Sequence, residues 1–295
     1  MIVDCHTHVW QSPDQLGHLA LGESPRPAKP RVWPPSAAML RSTSTLPIPP
    51  GDADNHWSQA AGVDKTIVLA FKARCSSAHI PNSYIAGYVN RFPEKLIGFA
   101  SVDPTEDSAR DELVAAHFDL HLRGLVLCPP SQDFHPADTR ALRIYELAEK
   151  LNMPILFHPG APFSPGARMQ FARPFLLDEI ARSFPSLRMI VAQLGRPWID
   201  ETLCLLDKHA SVYADISGLL HRPWLAYNAL LSAYQGGVID KLLFGSDFPY
   251  AGATECIEAL YSLNQTVQGT NLPMVPRESL RGIVERDSLS VLGLS

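Results

Sequence analysis

Met1-Ile2-Val3-Asp4-Cys5-His6-Thr7-His8 opens the chain with an apolar, β-branched run that ends in two histidines one residue apart. Read as a strand, the run sends residues two apart to the same face, so His6 and His8 project together from its C-terminal end. Seven more short runs of this kind follow: Thr66 to Phe71, Leu96 to Val102, Gly124 to Cys128, Pro154 to His158, Met189 to Gln193, Val212 to Ile216 and Lys241 to Asp247. Their ends recur about every thirty residues, the length of one strand-helix unit in a barrel. Helical spacing fills the intervals at Ala109 to Phe118, Thr139 to Leu151, Pro174 to Phe184, Pro197 to His209, Pro223 to Tyr234 and Glu255 to Leu263. Pro174, Pro197 and Pro223 stand where a first helical turn tolerates proline.

Strands alternating with helices imply parallel pairing through helical crossovers. Eight such units predict an α/β fold, a closed (β/α)₈ TIM barrel, rather than an open doubly wound sheet. No G-x-G-x-x-G follows the first run, which removes the usual reason to choose the open sheet. Residues 1–295 read as one domain, with 9–65 as a long Pro-rich loop and helix over the barrel mouth and 272–295 as terminal helices across the floor. Within the insertion, Ser24 to Pro30 and Pro47 to Gly51 are too rich in proline for regular helix or central strand. A connection this long in a compact domain is usually functional, so it is expected to shape a pocket.

Net charge is −5, and no basic run interrupts the weakly acidic balance, so nothing draws the chain to nucleic acid or to an anionic membrane. No apolar stretch approaches the ~18 residues of a membrane span. The N-terminus carries no basic segment followed by a cleavable apolar one, which points to a cytoplasmic protein. Five cysteines, an odd number with no C-x-x-C, read as reduced thiols, each a small buried apolar residue. The expected partner is a small-molecule substrate, and a homodimer is left open.

The chemistry gathers at strand ends. His158 closes Pro154-Ile155-Leu156-Phe157-His158 before Pro159-Gly160, and Asp247 closes Leu242-Leu243-Phe244-Gly245-Ser246-Asp247. Each alone has an ordinary explanation: H-x-H pairs are common, His158 could cap a loop, and an aspartate after a strand often caps a helix. Phe248-Pro249 after Asp247 argues against an immediate cap. Convergence of His6, His8, His158 and Asp247 at the C-terminal rim, where barrel active sites assemble, points to one divalent ion. Imidazoles with one carboxylate suit Zn²⁺ first, with Mn²⁺ or Fe²⁺ as alternatives. Arg196, just after Gly195, is placed either to grip a substrate carboxylate with its fork or to cap the barrel. Lys72, Arg74, His135, Asp215 and Tyr250 are further rim positions, and Trp198 either walls the pocket or packs helix against barrel.

Asp4-x-His6-x-His8, Cys128-Pro129-Pro130, Leu156-Phe157-His158, Ala192-Gln193-Leu194-Gly195-Arg196-Pro197-Trp198 and Phe244-Gly245-Ser246-Asp247 occur in the order of a known family. In these motifs the chain resembles the amidohydrolase superfamily, in its amidohydrolase-2 branch, which includes 2-amino-3-carboxymuconate-6-semialdehyde decarboxylase and related aromatic-acid decarboxylases. The resemblance implies that His6, His8, His158 and Asp247 are the metal ligands, that the ion activates water, and that Asp247 doubles as proton shuttle.

Two positions depart from the pattern. Gln193 stands where the family usually has a strand-six histidine, and Cys128 where many members have another. Glutamine donates and accepts hydrogen bonds but does not titrate, so Gln193 is no general base. Its presence weakens the case for a second ion, which stays open only if Cys128 or Asp4 supplies an unusual ligand. Gln193, Arg196 and Cys128 are the candidates for substrate contact. The leading activity is metal-assisted hydrolysis of an ester, lactone, thioester or amide. Non-oxidative decarboxylation of a hydroxylated aromatic or unsaturated acid is the alternative, and a barrel kept as a binding scaffold is the third.

Overall fold

The structure, a computed structural model, describes residues 1–19, 49–159 and 166–295. The proline-rich run at 24–30, together with Pro47 and Ile48, lies outside the described residues. Eight parallel strands form one sheet in chain order: β1 (Val3–His8), β2 (Lys65–Leu69), β3 (Leu96–Ser101), β4 (Gly124–Leu127), β5 (Ile155–Phe157), β6 (Met189–Val191), β7 (Val212–Asp215) and β8 (Leu242–Leu243). The last segment returns to the first. Cys5 N–H donates to Phe244 O at 2.9 Å, Asp247 N–H to His6 O at 3.0 Å, and His8 N–H to Phe248 O at 2.8 Å. The sheet is thereby a (β/α)₈ barrel, with an insertion after β1.

The apolar runs become strands because both faces are covered. Inward residues pack the barrel and outward ones meet helices, so β1, β4, β5 and β6 are buried at every position. The helix Thr139–Lys150 shows the outer layer: Ala141, Ile144, Tyr145 and Ala148 are its buried stripe, and Asp138 caps it by accepting from Arg140 N–H. At the chain's end, helices Arg277–Glu285 and Ser288–Leu292 lie below the sheet. Arg123, at the foot of β4, donates to Leu294 O at 3.5 Å, and Arg286 donates to Leu242 O at 3.2 Å.

Several sequence expectations need correction. β6 ends at Val191 rather than Gln193, because Gln193, Leu194 and Gly195 have φ of 54°, 50° and 64°, which no strand accommodates. The β8 ladder covers only Leu242–Leu243; the stretch to Asp247 follows β1 without regular pairing, and Asp247 itself has φ 65°. After β2 comes an unforeseen antiparallel hairpin, Phe71–Ala73 with Ala78–Ile80, then a helix at Asn82–Val89. Cys75 and Cys204 are exposed, unlike the buried Cys5, Cys128 and Cys256. Cys75 sits in the hairpin turn, and Cys204 is on the outer side of a helix that buries Thr202, Leu205 and Leu206. Among the described residues, no helix is long and apolar enough to cross a membrane.

Helix Ala53–Gln59, in the insertion, is tied to the barrel through buried His56. Thr7 Oγ1 already donates to Ile67 O at 2.8 Å, so it must accept from His56 Nε2–H at 3.0 Å. His56 Nδ1 is then left to accept the Tyr88 hydroxyl at 2.8 Å. This pins Thr7, the residue between two site histidines. Burial pushes the His56 imidazole down to about 4, with Lys95 adding to the effect. The unfolded chain therefore takes up a proton near pH 6.5 that the folded chain refuses until about 4, and stability falls as pH drops through that window. His56→Gln is expected to flatten this part of the profile. Urea midpoints for both proteins at about pH 7 and about pH 4.5 test it; parallel profiles would remove His56 as the cause.

Candidate metal centre

Strand geometry places the imidazoles first. His6 and His8 leave β1 on the same face, and His158 follows β5 directly, its N–H donating to Leu127 O at 2.8 Å. One ligand atom from each of His6, His8 and His158 lies within 4.8 Å of the others. Their ring centroids are 4.9, 5.2 and 5.4 Å apart. His6 Nε2 and His8 Nε2 approach to 3.0 Å. Two nitrogens on one tetrahedral Zn²⁺ at the usual bond lengths stand roughly 3.3 Å apart, so the observed spacing fits a shared ion. Among the described residues this is the one group of three or more histidine, cysteine or acidic side chains with such spacing.

The surroundings of His6 also favour the tautomer that a metal ligand needs. His6 Nδ1 faces Asp215 Oδ2 at 3.0 Å, both side chains fully buried. The carboxylate fixes the proton on Nδ1 and turns the Nε2 lone pair toward the mouth, the usual outer support of a metal-binding histidine. Asp215 is itself held by Gln193 N–H and Ser217 N–H, both at 3.0 Å, and by the Ser217 hydroxyl at 2.5 Å, all on Oδ1. Burial lowers His6, yet Asp215, Asp247 and Asp4 outweigh it and leave its imidazole raised. His8 and His158 are pushed far down by burial, with His6 adding to the effect, so both are neutral bases able to offer a lone pair.

Asp247 stands beside this group rather than within it. Its Oδ1 is 3.7 Å from His6 Nε2, and its Oδ2 accepts from Gln193 Nε2 at 3.1 Å. Burial raises its carboxyl to about 6 against the attraction of His6. Asp4 lies beneath: its Oδ1 accepts from Ser246 N–H at 2.9 Å and His6 N–H at 3.3 Å, and burial raises it to about 6 as well. Asp4 is thus tied to the backbone under both His6 and Asp247. Cys128 is 1% exposed, caps the short helix Pro129–Gln132 and has its thiol pushed up to about 11 by burial; it lies outside the imidazole group.

The remaining rim positions disperse. Lys72 pairs with Glu106 and Glu112 at 2.6 and 2.8 Å, and the Arg74 backbone donates to Asp103. His135 and Tyr250 are exposed, His135 edge-on to Phe171. Trp198 caps the helix Ile199–Lys208. Arg196, by contrast, donates to Gly218 O at 3.0 Å, and Arg222 joins it on the same carbonyl at 3.2 Å. Arg222 was not anticipated, because no local pattern sets it apart from any other residue before a helix. Asp215 was placed at the rim by its position at a strand end, but its bond to His6 spans the barrel and leaves no local trace.

An eight-stranded barrel with three imidazoles converging at the C-terminal mouth defines a class of barrel with a candidate metal site. The chain belongs to the amidohydrolase family, amidohydrolase-2 branch, whose sequence model matches residues 3–268 and whose members are enzymes. No curated protein sequence matches it. Similar solved structures include a probable 2-pyrone-4,6-dicarboxylic acid hydrolase from Acinetobacter baumannii, with TM-score 0.67, 15% identity and 99% of each chain covered. A 5-carboxyvanillate decarboxylase from Sphingomonas paucimobilis has TM-score 0.64 and 15% identity, covering 100% of this chain and 99% of that one. A dihydroxybenzoic acid decarboxylase from Polaromonas sp. JS666, with bound manganese and 2-nitroresorcinol, has TM-score 0.61 and 16% identity, covering 99% and 97%. At these identities the likeness is one of fold.

Removing the outer support should weaken the site without unfolding the barrel. Asp215→Asn is expected to lower affinity for Zn²⁺ or Mn²⁺ by about 10- to 100-fold, measured by competition with a chromogenic chelator. Wild-type affinity in a variant with an unchanged circular dichroism spectrum would show that Asp215 does not support the site.

Proposed function

We propose that this protein is a metal-dependent hydrolase that cleaves an ester, lactone, thioester or amide bond of a small organic acid derivative. His6, His8 and His158, with Asp247 beside them, would hold one divalent ion, Zn²⁺ first, with Mn²⁺ or Fe²⁺ suited to the same nitrogen and oxygen donors. When bound, such an ion lowers the pKa of water toward neutrality and polarises a carbonyl. The observation that carries the reading is the Gln193 amide N–H on Asp247 Oδ2 at 3.1 Å. It occupies one carboxylate oxygen and leaves Oδ1 toward His6 Nε2.

Asp247 then takes the proton from the attacking water and returns it to the leaving group. Gln193 cannot share the task, since an amide does not titrate in this range. Asp215 keeps His6 in the tautomer that points Nε2 into the site. Arg196 is the residue placed to receive an acid group of the substrate.

Decarboxylation is the second reading, with Asp247 delivering a proton to a ring carbon. Decarboxylases and probable hydrolases both occur among the fold relatives. The two separate in a direct assay. Protein loaded with Zn²⁺, Mn²⁺ or Fe²⁺ is expected to hydrolyse activated esters or thioesters, to stop with chelator and to recover when metal is restored. Release of CO₂ from a hydroxybenzoate panel, with no hydrolysis, would overturn the lead in favour of the lyase. Asp247→Asn is expected to cost at least about 10²-fold in kcat with the fold intact; wild-type rates would exclude Asp247 from proton transfer.

A further inference from the structure

β1 does not pair evenly with β2. Asp4 stands opposite Thr66 and Thr7 opposite Val68, so Cys5 and His6 together face the single residue Ile67. This is a β-bulge, which inserts one extra residue, interrupts the ladder and re-aims the side chains beside it. His6 lies in the bulge and His8 two residues on, so the direction of both imidazoles depends on how this irregular stretch is held. Thr7 holds it on two sides. Its backbone pairs with Phe248 in the stretch after β8, and its Oγ1 donates to Ile67 O at 2.8 Å across the bulge.

His56 holds Thr7 in turn. A threonine hydroxyl has one proton, which Ile67 O takes, so the 3.0 Å approach of His56 Nε2 is an N–H donating to Thr7 Oγ1. Nδ1 then accepts from the Tyr88 hydroxyl at 2.8 Å. Tyr88, His56 and Thr7 are all buried, so bulk water does not replace a lost partner in this series. The His56 ring also lies edge-on to Phe248, with centroids 5.0 Å apart, and the adjacent Trp57 stacks on Phe92 at 3.8 Å. One imidazole from the insertion thus touches both segments of the seam: Thr7, between His6 and His8, and Phe248, next to Asp247.

We propose that His56 is a positioning residue of the metal centre: acting through Thr7, it holds the β1 bulge in the shape that points His6 and His8 at a shared ion. The helix Ala53–Gln59 is then part of the metal-binding scaffold, although His56 is no ligand. The inference rests on the reading of His6, His8 and His158 as ligands and is independent of the reaction the ion serves.

The test reads the metal itself. The full chain, metal-free, is titrated with Zn²⁺ against a chromogenic chelator, and its Co²⁺ form is followed by visible absorption, which reports ligand geometry. His56→Leu and Thr7→Val are each expected to weaken Zn²⁺ binding about tenfold or more and to alter the Co²⁺ spectrum. His56→Gln, whose amide keeps an N–H for Thr7, and Thr7→Ser, which keeps the hydroxyl, should hold both near wild type. Combining His56→Leu with Thr7→Val should lose no more than the worse single variant, because both act on one series of contacts. Tyr145→Phe removes a buried hydroxyl that donates to Pro136 O in the outer layer; it should cost stability and leave metal binding unchanged. Wild-type affinity and spectrum in His56→Leu and Thr7→Val would overturn the proposal. So would equal losses in His56→Gln, Thr7→Ser and Tyr145→Phe, since the effect would then be one of general stability. If His56→Leu does not fold, the contrast between Thr7→Val and Thr7→Ser decides. A wild-type chain that binds no divalent ion would overturn the ligand reading and this proposal with it. Metal binding by the wild type that the variants match overturns the role of His56 alone.

Discussion

Three backbone hydrogen bonds, Cys5 to Phe244, Asp247 to His6 and His8 to Phe248, join the first and last strands, and the same short segments carry the site's side chains. Without this seam β1 and β8 would be opposite edges of an open sheet, each with a row of unpaired backbone groups. His6 and Asp247 would then be a sheet's width apart. The seam is also tight: a Cβ on Gly245 would stand 2.9 Å from the His6 Cβ and 3.3 Å from that of Ser217. A glycine at this point lets β8 come close enough for Asp247 to reach the imidazoles.

Electrostatics follows from that closeness. Asp4, Asp215 and Asp247 surround His6 in a buried space, and all three cannot carry full charge there at little cost. The structure resolves this unequally. Asp215, bonded to His6 and Ser217, is held below the ordinary carboxylate range despite burial. Asp4 and Asp247 are both raised to about 6 by burial. Such a space, rich in carboxylates and neutral imidazoles, is complementary to a divalent cation, whose charge would dominate the local balance.

The turn after β6 links the two halves of the mouth. Gln193 and Leu194 sit at positive φ, a region that non-glycine residues rarely enter, and Gly195 continues the run. A Cβ on Gly195 would lie 2.0 Å from Thr202 Oγ1, so the close approach of this turn to the next helix requires glycine. The turn is anchored by Gln193 N–H on Asp215 and carries the Gln193 amide over to Asp247. The Gln193 amide tied to the carboxylate does not titrate, which leaves Asp247 as the proton carrier in the proposed chemistry.

Periodicity was enough to recover the barrel and the shared face of His6 and His8, because alternation along a strand is a local property of the backbone. His158 and Asp247 could be read as strand-end residues on the same grounds. The end of β6 is not legible locally because apolar residues run on through Ala192 while the sign of φ at Gln193, Leu194 and Gly195, which stops the strand, is set by contacts with Asp215 and Thr202. The hairpin after β2 and the exposure of Cys75 and Cys204 escaped for a similar reason: which side of an element meets solvent depends on its neighbours. Residues distant in sequence are brought together only by the pairing of strands and the closure of the barrel. The grip of Asp215 on His6, the Gln193 bond to Asp247 and the meeting of Arg196 with Arg222 on Gly218 are all such contacts, so they exist only in the folded chain.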